Sequence, residues 1–180
     1  MRIISGKFRG RQIHPPANLP VRPTTDSAKE SLFNILNNTI GFENLDVLDL
    51  FAGTGSISFE FFSRGCNSVT AVDIEHKCIH FIKQTAELMK ADNLDAIRMN
   101  CFQFLKLPGR SYDLIFADPP YDLDGIDSLP DLICGGHMLK EDGLFILEHS
   151  KDYSFVESPN FSQHRKYGGV NFTFFSKRNP

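Results

Sequence analysis

From Asp46 onward the chain alternates between two hydrophobic patterns. Short apolar runs at 46–51, 68–72, 96–99, 112–117 and 143–148 predict strands. Between them, at 56–64, 75–91, 101–106 and 126–134, apolar positions recur at three- and four-residue spacing and predict helices. Apolar strands separated by helices imply a parallel sheet buried on both faces. After His149 the helical spacing stops, and the runs 161–166 and 170–176 around Gly168-Gly169 predict a closing hairpin.

Upstream of Asp46 the pattern differs. Residues 2–4 and 7–13 flank Ser5-Gly6 and predict a small hairpin or extended arm. Pro15, Pro16, Pro20 and Pro23 keep the chain out of helix until Thr25. Leu32, Phe33, Ile35, Leu36 and Ile40 then predict an amphipathic helix over 26–39, with Ser27-x-x-Glu30 as its capping box and Gly41 as its stop. The whole reads as one domain over 1–180: an arm to residue 25, a leading helix to residue 40 and an α/β core over 41–180. Five strand–helix units and a hairpin make that core a doubly wound, Rossmann-like, mostly parallel seven-stranded sheet with an antiparallel edge strand.

Composition leaves this architecture in place. Hydrophobic content of 41% and charged content of 23% are ordinary for a globular domain. No run approaches the ~18 apolar residues of a membrane span, and no apolar signal segment follows Met1, so no membrane association is expected. Cys66, Cys78, Cys101 and Cys134 form no Cys-x-x-Cys pair. They read as free thiols in a reducing compartment, and a cytoplasmic location is expected.

The net charge of −3 conceals a division. Residues 1–22 carry five basic groups and no acid, and residues 158–180 carry four, again without an acid. All 22 acidic groups lie between. If the two ends converge, they form the local basic footprint that phosphate binding needs.

The chemistry is carried by two strand ends. Val47-Leu48-Asp49-Leu50 runs through Phe51 and Ala52 into Gly53-Thr54-Gly55. Glycine there permits positive φ and close backbone approach to a ligand. Dinucleotide binders want Gly-x-Gly-x-x-Gly, but position 58 is Ser, which disfavours a nicotinamide enzyme. Asp73 ends the second strand 20 residues after Gly53, where a carboxylate can bond ribose hydroxyls or cap the next helix. Asn100 and Cys101 end the third strand, where Asn100 can bond an adenine edge. A buried Asp49 needs a partner, and a cofactor ammonium group suits it. Asp49, Phe51, Gly53, Gly55, Asp73, Asn100 and Cys101 are the candidate cofactor residues.

The second strand end is Asp118-Pro119-Pro120-Tyr121. Methylating an exocyclic ring amine requires turning its lone pair out of conjugation. Asp118 and the Pro119 carbonyl can accept its two N–H bonds, Pro120 stiffens the turn, and Tyr121 can stack on an extruded base. The two halves together predict a class I S-adenosylmethionine-dependent amino methyltransferase acting on a flipped base. Carbon-5 pyrimidine chemistry is disfavoured, because no cysteine sits in a Pro-Cys pair. His76 and His80 are spaced i, i+4 but lack the Glu of a His-Glu-x-x-His site, so no metal is expected. Glu148 and His149, after the fifth strand, read equally as pocket, core or loop residues.

The stretches Arg2 to Arg11, Arg22 to Leu36, Asp49 to Gly55 and Asp118 to Tyr121 resemble the RsmD-type bacterial methyltransferases across nearly the whole chain. The last two stretches are shared by many amino methyltransferases, whereas the first two are narrow to this family. The resemblance implies methylation of the N2 amine of a guanine in 16S ribosomal RNA, guanine 966 in that family. It implies a monomer acting on ribosomal RNA within a small-subunit assembly intermediate. It also places RNA contacts on the arm and on Arg22, Thr24, Asp26 and Lys29. Lys7, Arg9 and Arg11 are candidate phosphate contacts on charge alone. This sequence departs from the family at Lys29 (usually Arg), Ser58 (commonly Gly or Ala) and Asp73 (frequently Glu).

Three rivals share parts of this pattern. An adenine-N6 DNA methyltransferase shares Asp-Pro-Pro-Tyr but normally carries a target-recognition insertion for which 180 residues leave little room. A protein-glutamine methyltransferase would more often show Asn at position 118. A non-catalytic assembly factor with this fold has no need of Gly53, Gly55, Asp73 and Asp118 together.

Overall fold

The computed structural model describes residues 1–17, 19 and 25–177. In chain order its elements are α1 (Asp26–Thr39), β1 (Asp46–Leu50), α2 (Ser56–Ser63), β2 (Ser68–Asp73), α3 (His76–Met89), β3 (Leu94–Arg98), α4 (Cys101–Phe104), β4 (Tyr112–Ala117), α5 (Leu129–Cys134), β5 (Leu139–His149), β6 (Phe161–Tyr167) and β7 (Val170–Ser176). The strands form one sheet in the order β3-β2-β1-β4-β5-β7-β6. β1 to β5 are mutually parallel, and β7 runs antiparallel between β5 and β6. The antiparallel strand expected at the edge is therefore one place in from it. β6 runs parallel to β5 at the edge, and the 168–169 turn reverses the chain into β7, which inserts between them.

Two apolar clusters cover the two faces. Val47, Phe116, Ile146 and Phe172 pack beneath α1, α2 and α3, while Leu48, Ala117, Leu147 and Phe175 pack beneath α4 and α5. Period-two alternation within each parallel strand produces this division. Local chemistry set the boundaries. The 126–134 stretch breaks into a 3-10 turn at Ile126–Ser128 and the short α5, with Pro130 in its first turn. β5 begins earlier than its apolar run, at Leu139, through the polar residues 140–142.

The leading helix is capped differently from expectation. Thr25 is the N-cap, its hydroxyl accepting from the Ala28 N–H, and Ser27 lies inside the helix. Glu30 closes no capping box because it pairs with Arg2 of the arm at 3.0 Å.

The arm is a compact loop rather than a ribbon. A single bridge, Arg2 to Gln12, and backbone bonds from Ile3 and Ile13 to Arg11 and Met1 close it. It lies along α2. Glu60, fully buried, accepts from the Ile4 and Ser5 N–H groups (2.8 and 3.1 Å) and from Arg64 Nε (2.8 Å). The Lys7 and Phe8 N–H groups donate to the Ser63 carbonyl and hydroxyl. Hydrogen bonds to a charged acceptor contribute more than neutral ones, about 1.5–3 kcal/mol each. Glu60 thus fixes the arm and helix as one unit. No helix among the described residues is long and apolar enough to cross a membrane.

Candidate active site

In a doubly wound sheet, ligands bind outside the carboxyl ends of the strands where the strand order reverses. Here that point lies between β1 and β4, paired directly from Val47–Leu114 to Leu50–Ala117. The two motifs separated in the chain therefore end on adjacent strands.

On the β1 side the turn is held in left-handed backbone at Phe51 (φ 62°), Gly53 (φ 54°) and Gly55 (φ 75°). Phe51 is the costly member, because a bulky residue there is strained by about 1–3 kcal/mol. A Cβ on Gly55 would stand 2.9 Å from Ile82 Cγ1 and 3.0 Å from the Phe59 ring, so the turn tolerates no side chain. Both Asp73 oxygens grip backbone: Oδ2 accepts from the Gly53 N–H and Oδ1 from the Glu75 N–H, each at 2.8 Å. Asp73 thus ties the β1 turn to the end of β2, and Glu75 itself caps α3. Each carboxylate oxygen has a second lone pair, so ribose contacts remain open to it.

Asp49 is buried, and Ser58 on α2 donates to its Oδ2. Burial, with the charges of Asp118 and Asp73 also acting, pushes its carboxyl up to about 7. Position 58, read as a departure from the dinucleotide pattern and from the family's usual Gly or Ala, therefore supplies the partner that Asp49 needs. Asn100 caps α4, its Oδ1 accepting from the Phe102 and Gln103 N–H groups. That commits its oxygen and leaves its NH2 group as a donor. Cys101 is buried at the start of α4, and desolvation pushes its thiol up to about 11, so it is no nucleophile.

On the β4 side Pro119 is buried and Pro120 exposed, with Asp118 half-buried between the strand and the turn. Tyr121 stands 50% exposed. Of the two residues left open after the fifth strand, His149 belongs to the core. Its Nδ1 donates to the Ser150 carbonyl (2.7 Å), leaving Nε2 to accept from Thr173 Oγ1 (2.8 Å), and it packs edge-on against Phe155. Glu148 is buried, with one carboxyl oxygen lacking a partner.

Lys29 corrects the expected RNA surface. It is 1% exposed, and its Nζ donates to the Arg2 carbonyl (2.7 Å) and to Ser56 Oγ (3.0 Å). Desolvation lowers its pKa despite the nearby charges of Glu60 and Asp26. Lys29 therefore braces the arm against the first residue of α2 and does not present its charge to phosphate. The signal was in the sequence: Lys29, Leu32, Phe33 and Leu36 share one apolar stripe. Asp26 lies 3.8 Å from Arg2. Arg22 and Thr24 lie outside the described residues.

Lys7, Arg9 and Arg11 are exposed, as expected. Lys7 and Arg11 sit over the Phe8 ring (5.4 and 5.8 Å), which stacks on Phe62. Lys177, counted in the basic carboxyl end, is spent on the Gly136 and Leu139 carbonyls and on Glu141. His76 and His80 stack in the open on α3.

Comparison with known proteins matches this arrangement. The family described as Conserved hypothetical protein 95 covers residues 1–176. Ribosomal RNA small subunit methyltransferase D of Buchnera aphidicola subsp. Baizongia pistaciae is 33% identical over 159 residues, 88% of this chain and 81% of its own. The protein of the same name from Haemophilus influenzae is 31% identical over 90% of this chain and 85% of its own. The solved structure of YhhF from Escherichia coli superposes with a TM-score of 0.86 at 26% identity, over 100% of this chain and 99% of that one. The chain belongs to the Conserved hypothetical protein 95 family, that of the RsmD-type methyltransferases.

Proposed function

We propose that the protein methylates the N2 amine of a guanine in 16S ribosomal RNA, with S-adenosylmethionine as methyl donor, in a small-subunit assembly intermediate. The observation that carries the reading is the adjacency of the Asp49–Gly55 turn and Asp118–Tyr121 at the switch point. The names of the family's relatives supply the ribosomal RNA.

The residues fit the cofactor. A turn held in left-handed backbone, a buried acid suited to an ammonium group and a carboxylate fixed for ribose stand side by side. Bound there, S-adenosylmethionine supplies a methyl group activated by a sulfonium. Asp118 and the Pro119 carbonyl accept the two N–H bonds of the target amine and turn its lone pair toward that methyl group. The lone pair so directed would take the methyl group, the N–C bond forming as the C–S electron pair stays with sulfur. The methylated amine then sheds one proton. Tyr121 holds the extruded ring by stacking, worth roughly 1–3 kcal/mol per base.

Transfer of label from methyl-labelled cofactor to unmodified small-subunit particles, naked ribosomal RNA and duplex DNA, digested to nucleosides, tests the reading. Label in N2-methylguanosine is expected, and label in N6-methyladenine of DNA would sink it.

Asp49 gives this site a pH dependence. Its carboxyl is raised to about 7, so it is neutral below and anionic above that value. An ammonium group favours the anion, so cofactor affinity should rise as pH climbs from 6 through 7, with proton release on binding. In the cofactor-free protein the sign reverses. A carboxyl with a raised folded pKa stabilises the fold below its ordinary pKa, and that stability is lost as pH rises through about 7. Calorimetric titration of wild type and Asp49→Asn would show this: affinity independent of pH in wild type would remove Asp49 from the ammonium site.

The arm should carry phosphate contacts. Neutralising Lys7, Arg9 and Arg11 together should flatten the dependence of RNA affinity on salt by a slope of roughly two to three. An unaltered slope would put the contacts elsewhere.

A further inference from the structure

Among the described residues, the only buried carboxyl oxygen without a hydrogen-bond partner is Oε2 of Glu148. Buried polar atoms are nearly always satisfied, so an exception at a strand end beside a candidate site marks a place where a ligand atom or a water can bond. Glu148 is 5% exposed and lies on β5. Ala117 of β4 pairs with Leu147, so Asp118 and Glu148 are side by side one residue further on. Phe116 and Ile146 face α1 to α3. By alternation Asp118 and Glu148 share that face, as Asp49 does. β5 lies beyond β4 from β1 in the sheet. With strands about 4.8 Å apart, Glu148 borders Asp118 on the side away from the cofactor turn.

We infer that Glu148 reads the base held by Asp118: as a neutral carboxylic acid it accepts from the guanine N1–H and donates to O6. This rests on the guanine-N2 reading above. Guanine presents N1–H beside O6, a donor next to an acceptor, and a neutral carboxyl group is the complement of that edge. Adenine, placed with its N6 amine at Asp118, offers a lone pair at N1 and no adjoining carbonyl. It can make one bond where guanine makes two.

The surroundings keep the acid neutral. Burial, and then the charge of Asp118, push Glu148 up to about 8. Asp118, directly after β4, is the facing charge, with Asp49 one strand beyond it. From β7 the facing residue is Phe172. His149 and His164 share Thr173 on the opposite face. On α1, Lys29 is tied to Arg2 and Ser56, and Asp26 and Glu30 are paired with Arg2.

The test is single-turnover methylation of unmodified small-subunit particles from pH 6 to pH 9 by wild type, Glu148→Gln and Glu148→Ala. Labelled nucleosides are identified, and cofactor affinity is measured in parallel to certify the fold. The wild-type rate should fall through a midpoint near 8 as the acid ionises. Glu148→Gln keeps a carbonyl acceptor and an N–H donor, so it should stay within a few-fold of wild type at neutral pH and lose that fall. Glu148→Ala should be slower by about 10- to 100-fold, the range of a bidentate base contact. Should the variants fail to fold, wild type alone decides, on RNA whose target guanine is replaced by 2-aminopurine. That base keeps the 2-amine but lacks N1–H and O6, and it should react 10- to 100-fold more slowly. A Gln variant with the wild-type pH profile, an Ala variant at the wild-type rate, or equal rates on 2-aminopurine would overturn the inference while N2-methylguanosine still forms. Label in another nucleoside would remove the guanine reading, and this one with it.

Discussion

Asp118→Ala should bind S-adenosylmethionine almost as tightly as the parent protein and transfer methyl groups at least a hundredfold more slowly. The cofactor turn is built without Asp118. Its left-handed backbone is held by Asp73, and Asp49 is partnered by Ser58. Asp118 directly follows the neighbouring strand, where the proposed amine must be turned out of conjugation. Losing one preorganised partner for charge that develops in a transition state costs roughly a hundred- to a thousandfold in rate. Removing the carboxylate also removes a charge that raises both Asp49 and Glu148, so each should ionise at lower pH in the variant. Rapid-quench methylation alongside cofactor titration checks the first claim. Unchanged turnover would take Asp118 out of the mechanism, and a parallel loss of cofactor affinity would assign it to binding.

Gly6→Ala should undock the arm. Gly6 has φ +82°, and a Cβ there would stand 1.9 Å from the Ser63 carbonyl oxygen and 2.3 Å from its carbon. Both are backbone atoms of α2, so no side chain can swing away. Left-handed backbone costs an L-residue about 1–2 kcal/mol and overpacking about 1–3 kcal/mol, and together these oppose the arm's hydrogen bonds to Glu60 and Ser63. Residues 1–13 should then lose protection from hydrogen exchange, and RNA affinity should fall about tenfold or more as Lys7, Arg9 and Arg11 lose their fixed position. The cofactor should still bind, since its turn lies at the other end of α2. An arm that remains protected, with RNA affinity intact, would mean that docking at Ser63 does not position these cations.

The placement of the arm bears on how RNA would lie. Its basic tip meets the Ser63 end of α2, whereas the glycine turn precedes Ser56. An eight-residue helix is about 12 Å long, so phosphate contacts at the tip would be separated from the reacting base by about that distance. Such spacing suits backbone contacts that set register while a single extruded base is read elsewhere. Lys29 links the two ends, holding the arm at the Arg2 carbonyl and the turn at Ser56.

The parts legible in the sequence are those governed by local rules. Short apolar runs and helices of period 3.6 gave seven strands and the order of elements, because burial selects side chains one element at a time. Asp49–Gly55 and Asp118–Tyr121 were legible because turn geometry and ligand chemistry demand particular residues at short spacing. The capping residue of α1, the antiparallel strand's inner place and the state of Lys29 were not read correctly, for a common reason. Each depends on a neighbour far along the chain: Arg2 takes Glu30, β7 inserts beside β5, and the arm covers Lys29.

The sequence by itself thus determined the doubly wound core, the two chemical motifs and the family, since periodicity and contiguous motifs survive without three-dimensional information. Only the tertiary structure decided which polar groups are spent inside the fold and which remain for a ligand. It assigned Glu60 and Lys29 to the arm, Ser58 to Asp49 and His149 to the core, and it left one oxygen of Glu148 without a partner. A carboxylate, ammonium or imidazole has the same chemistry wherever it stands in the chain. Its role is set by desolvation and by the partners that packing brings within hydrogen-bond reach, and those partners lie one to 94 residues away in sequence.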